Sequence, residues 1–95
     1  MDEEMRSVLE ECVQQFFENP EQWETKAKEQ MKMLGIQPTL DGALALFWGL
    51  TYGTVRTRIW AKAGAITTED MLEITQYVLK EWPKLKEHYI ARRLF

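Results

Sequence analysis

The stretch from residue 39 to 64, TLDGALALFWGLTYGTVRTRIWAKAG, constrains this chain most. Between Asp41 and Arg56 it carries no charge for 14 residues, 42–55. Wound as a helix at about 100° per residue, that run sets Leu44 and Phe47 on one side, Leu46 and Leu50 on a second, and Trp48 and Tyr52 on a third. A helix that is apolar on every side must be covered on every side, and roughly 25 residues at about 1.5 Å rise would span close to 37 Å, the length of a small domain. An uncharged run this short falls below the roughly 20 residues that a membrane span requires. The stretch therefore reads as the central post of a helical domain.

The flanking segments supply helices to lean on it. Over residues 2–18, Met5, Val8, Leu9, Cys12, Val13, Phe16 and Phe17 recur at steps of three and four, an amphipathic helix whose first turn holds Asp2, Glu3 and Glu4 at the positive end of its dipole. Asn19-Pro20 places an N-cap residue before a proline at the first helical position, so a second helix starts at once, with Trp23, Ala27, Met31 and Leu34 as its thin stripe and Gly35 as its stop. Pro38 discourages helix just before itself, Thr39 or Asp41 can cap the central helix, and Gly64 ends it. Thr67-Thr68-Glu69-Asp70 resembles a capping box, Asp70 standing where glutamate would be the better residue. Beyond it Met71, Thr75, Val78, Trp82, Leu85 and Tyr89 form a heptad-like seam that runs through Pro83 without changing phase, so a kink, or a break into a fifth helix, is expected there.

Ninety-five residues with a 45% hydrophobic fraction suffice for one folded domain, residues 1–95, with a modest core. One cysteine, Cys12, leaves no intramolecular disulfide, and one histidine, His88, leaves no His-pair metal site. Cys12 lies on an apolar stripe and reads as a core thiol. The acidic opening MDEEMRS does not have the pattern of an export signal, and the expectation is a soluble, cytoplasmic protein with no membrane span. Net charge is −3, unevenly divided: residues 1–50 carry four Lys/Arg against ten Asp/Glu, and residues 51–95 carry eight against five. Attraction between an acidic half and a basic half is the simplest use of such a division.

The row Ala45, Gly49, Gly53, Thr57, Ala61 departs most from an ordinary bundle. Each glycine costs about 1 kcal/mol against alanine in a helix interior, and close approach of another helix backbone is the physical compensation. The approaching helix is either another helix of this chain or the same helix of a second subunit. Met71, Val78 and Trp82 of the last seam are the other candidate contact residues. Arg56, Arg58, Lys62, Arg92 and Arg93, with Trp60 among them, are candidate phosphate contacts, although Glu69 and Asp70 would aim carboxylates at phosphates if the following helix entered a groove. Phe47, Trp48, Tyr52, Trp60, Trp82 and Tyr89 could line an apolar ligand pocket, but aromatic residues at helical spacing more often form core. No nucleophile–base pair, glycine-rich phosphate loop or Glu-x-x-His motif occurs, so no catalytic residue and no cofactor is expected.

The fold expected is all-α, a bundle of four to five helices around the long apolar one. The function class expected is a non-catalytic interaction or regulatory protein acting through helix packing, as a homodimer or with another helical protein. A nucleic-acid-binding accessory protein using the basic C-terminal half is the runner-up.

Overall fold

A computed structural model describes all residues, 1–95. Four α-helices and no strand make up the chain: α1 Glu3–Glu18, α2 Pro20–Met33, α3 Leu40–Ala63 and α4 Thr68–Ala91. The molecule measures 39 × 26 × 19 Å, so α3, about 36 Å long at the usual rise, runs nearly its full length.

The helix ends follow the local chemistry of the sequence. Asp2 accepts from the Met5 N–H at 2.9 Å, Thr39 Oγ1 from the Gly42 N–H at 3.0 Å, and Thr67 Oγ1 from the Asp70 N–H at 3.1 Å. The Asp70 carboxylate accepts from the Thr67 N–H at 3.3 Å, which completes the capping box. Gly64 ends α3 at φ 74°, a left-handed conformation that a side chain would strain. Asn19 occupies the N-cap position of α2 but its side chain makes no capping bond.

The turn between α1 and α2 has a consequence for α4. Pro20 has no N–H, so the Phe16 carbonyl, four residues earlier, loses its helical donor. The Tyr89 hydroxyl, buried, donates to that carbonyl at 2.9 Å, and His88 Nε2 donates to the Phe17 carbonyl at 3.0 Å. The end of α1 is thus closed by side chains from the far end of α4. Burial pushes the Tyr89 hydroxyl pKa well above its ordinary value, so it remains a donor.

α3 packs against α1, α2 and α4. At one end of the bundle Phe16, Ala27, Met31, Leu44, Phe47, Leu85 and Tyr89 form a cluster drawn from all four helices. Phe47 lies at its centre, stacked on Phe16 with ring centroids 4.5 Å apart and edge-on to Trp23 at 5.9 Å. At the other end Met5, Leu9, Val13, Val55, Ile59, Ile74 and Val78 form a second cluster from α1, α3 and α4 alone. Trp82 packs against both. The short α2 therefore supports only one end of α3.

α4 continues as one helix through Pro83, so the helix count is four. Pro83 is exposed, which leaves its ring clear of the packed side. No close approach of another helix backbone is found at the glycines of α3; at Gly42 an added Cβ would stand 3.0 Å from the side-chain atoms Met31 Sδ of α2 and Thr39 Oγ1.

Candidate interaction face

One side of α3 is uncovered. Ala43, Leu44, Phe47, Thr51, Val55 and Ile59 are buried, whereas Ala45, Gly49, Gly53, Thr57 and Ala61 are all exposed. A Cβ added at Gly49 or at Gly53 would meet nothing within 4 Å. Of the two partners left open for this row, the helix within the chain is therefore not found. The physical reason is that α1, α2 and α4 pack on the side of α3 that carries Leu44, Phe47, Thr51, Val55 and Ile59, and α2 contributes to the cluster at one end only.

The uncovered row is bordered by Leu50, Tyr52 and Trp60 and by Thr54, Arg56 and Arg58. Trp48, Leu50 and Trp60 are 38%, 43% and 57% exposed, and the Trp48 ring is stacked on Tyr52 at 5.5 Å. Trp48 lines a narrow crevice together with Val78 and Trp82, so this flank of α3 faces α4. On α4 itself, Met71, Leu72, Leu79 and Ile90 are 40–64% exposed. Leu72, Leu79 and Ile90, spaced by seven and eleven residues, share one side of that helix. Exposed apolar groups thus lie on both α3 and α4. The remaining exposed large side chains, Met33, Leu34 and Ile36, lie apart at the corner between α2 and α3.

The other candidate contact residues divide. Val78 is buried and Trp82 half-buried, both held within the chain against α1 and α3, while Met71 is on the exposed face. The basic candidates divide as well. Lys62 donates to Asp2 at 3.0 Å and to Glu4, whose carboxylates hold its ammonium pKa above the ordinary value, and Arg92 pairs with Glu21 at 3.1 Å. Arg56, Arg58 and Arg93 are exposed and make no ion pair. Because α3 and α4 are antiparallel, Arg56, Arg58 and Lys62 lie at one end of the bundle and Arg92 and Arg93 at the other.

Phe47, Trp48 and Trp82 border a crevice with room for about 20 Å³, the space of one water, whereas Tyr52 and Trp60 lie on an open groove of about 410 Å³ together with Gly49, Gly53, Arg56 and Thr57. Cys12 is half-buried and its thiol pKa is pushed up by that burial, which lowers its reactivity. No three His, Cys, Asp or Glu side chains come together as a metal site would require, and no helix is long and apolar enough to cross a membrane.

Gly42 escaped sequence reasoning, and its place three residues after the Thr39 cap was the available signal. Leu72, Ile74 and Leu79 read in the sequence as widening the α4 seam, but of these only Ile74 is buried, while Leu72 and Leu79 are 54% and 64% exposed. Comparison with protein-family models, with curated proteins and with solved structures found no match to this chain.

Proposed function

We propose that this is a non-catalytic, cytoplasmic interaction protein that works through helix packing, and that the α3–α4 face is its contact surface, used to form a homodimer. In this reading α3 is the post on which the other helices lean, and Pro83 bends α4 along it. The observation that carries it is the exposed row at Gly49 and Gly53, where an added Cβ would meet nothing within 4 Å, with Leu50 and Trp60 beside it. Two interior glycines cost a lone chain about 2 kcal/mol in helix propensity, and only a second backbone brought close over them returns that cost. The large side chains beside them are the kind that dominate interface energetics.

Nucleic-acid binding is less well supported. Two of the five basic candidates are engaged by carboxylates, and the rest stand at opposite ends of the bundle.

Sedimentation equilibrium of the whole chain tests the reading. A dimer at about 100 μM that dissociates on dilution is expected, and a monomer at that concentration overturns it. Titration with nucleic acid at about 50 mM salt is the companion measurement: binding that falls steeply as salt rises would move the runner-up ahead.

A further inference from the structure

α2 is held to the bundle differently from the other three helices. It gives the core Ala27 and Met31, with Trp23 edge-on to Phe16 at 4.8 Å and to Phe47 at 5.9 Å. Every polar or ionic contact that its side chains make beyond the helix itself goes to one place, the segment 92–95 that follows α4. Glu21 accepts from Arg92 at 3.1 Å, Glu24 accepts from the Phe95 N–H at 2.9 Å, and the Lys28 ammonium lies over the Phe95 ring, 5.2 Å from its centroid. We propose that α2 is a lid over one end of the core, that residues 92–95 are its latch, and that the lid opens while α1, α3 and α4 stay folded.

The latch is built against the preference of its own backbone. The Arg93 N–H donates to the Ile90 carbonyl at 3.0 Å and the Leu94 N–H to the Tyr89 carbonyl at 3.1 Å, the paired closure that most often carries glycine at the position of Arg93. Arginine stands there at φ 57°, a left-handed conformation that its Cβ disfavours. The turn brings Leu94 and Phe95, both partly buried, against the cluster that holds Phe16, Ala27 and Met31. The Arg92–Glu21 pair is exposed on both sides and adds little. The hold on α2 therefore falls on Phe95, whose N–H and ring meet Glu24 and Lys28 one turn apart on the lid.

Both ends of α2 can act as hinges. Asn19 precedes it without a side-chain capping bond, and Gly35, at φ 72° and with nothing within 4 Å of where a Cβ would stand, leads from it into a non-helical linker. The neighbouring helix does not depend on α2 for its own closure. The Phe16 and Phe17 carbonyls of α1 accept from Tyr89 and His88 of α4, so the end of α1 stays satisfied when α2 leaves. The second core cluster contains no residue of α2 and continues to join the other three helices. Opening uncovers an apolar surface made by Phe16, Leu44 and Phe47, and a detached helix of 14 residues is too short to persist by itself, so α2 loses its hydrogen bonds as it leaves.

Native-state hydrogen exchange on the whole chain at one fixed concentration tests the lid and the latch separately. In the wild type the interior amides of α2 should be less protected than the best protected amides of α1, α3 and α4. Ile74→Val weakens the second cluster, which the open form keeps and the unfolded chain loses. It should speed the best protected amides about fivefold and leave those of α2 unchanged. If the α2 amides exchange at the rate of the whole chain and accelerate with it in Ile74→Val, α2 unfolds only with the rest and there is no lid. Phe95→Ala should speed α2 exchange about tenfold, as expected when roughly half the burial of a ring is lost. Arg93→Gly, which removes the strain and keeps the contacts, should slow it about threefold. α2 exchange that responds to neither change would mean that residues 92–95 are not the latch.

Discussion

Replacing both Gly49 and Gly53 by alanine should have opposite effects on the single chain and on the pair. In the chain alone each glycine is an interior helical residue whose added Cβ meets nothing within 4 Å, so no steric term opposes the substitution. The gain is then the helix-propensity difference, about 1 kcal/mol per site and about 2 kcal/mol for the double variant, since methyl groups four residues apart on one helix do not collide. For a domain of this size 1 kcal/mol corresponds to roughly 4–8 °C, so the double variant should melt about 8–16 °C above the wild type under conditions where both are monomeric. In the pair the same methyl groups, four in all, stand between two backbones that the glycines bring together. Circular-dichroism melts over a range of concentrations separate the two effects. The wild-type melting temperature should climb with concentration, and that of the variant should start higher and stay nearly flat. A variant less stable than the wild type at high dilution would mean that the chain itself covers the row. An unchanged concentration slope would mean that the row lies outside the subunit contact.

Phe47→Ala removes the ring at the centre of the four-helix cluster, buried to 2% exposure, and should cost about 3–5 kcal/mol in denaturant melting; a loss under 1 kcal/mol would contradict that packing. Tyr89→Phe should cost about 1–3 kcal/mol, because the Phe16 carbonyl, deprived of a helical donor by Pro20, is left unsatisfied; the same change in a Pro20→Ala background should cost less. Pro83→Ala should stabilise α4 or leave it unchanged, since the helix is continuous there and alanine restores the bond to the Leu79 carbonyl; a loss above 1 kcal/mol would mean that the proline sets a geometry the packing needs. The Arg6 guanidinium, with Nε 2.7 Å from Glu73 Oε2, holds the Glu73 carboxyl below its ordinary 4.5. A depressed folded-state value stabilises above the unfolded value and is lost as pH falls through the folded one, so stability should decline below about pH 4.5, and Arg6→Gln should make that decline shallower in acid titrations followed by circular dichroism.

Much of the helical framework was legible because its causes are local. Asp2, Thr39 and Thr67 cap by hydrogen bonds that reach three residues, Gly64 stops α3 by its own backbone freedom, and Pro20 starts α2 by lacking a donor that a first turn does not use. The three-and-four spacing from Met5 to Phe16 marked the buried side of α1 for the same reason, since periodicity along one helix depends on that helix alone. Coverage of α3 is different in kind. Its apolar circumference states that cover is needed, but which side receives it depends on how long α2 is and on which flank α4 returns, and no residue of α3 encodes either. So Gly42, not Gly49 or Gly53, meets a neighbouring helix, and Tyr89 closes the end of α1 from 73 residues away. Local bonds determined where the helices begin and end, and the packing of α1, α2 and α4 decided which face of α3 was left open.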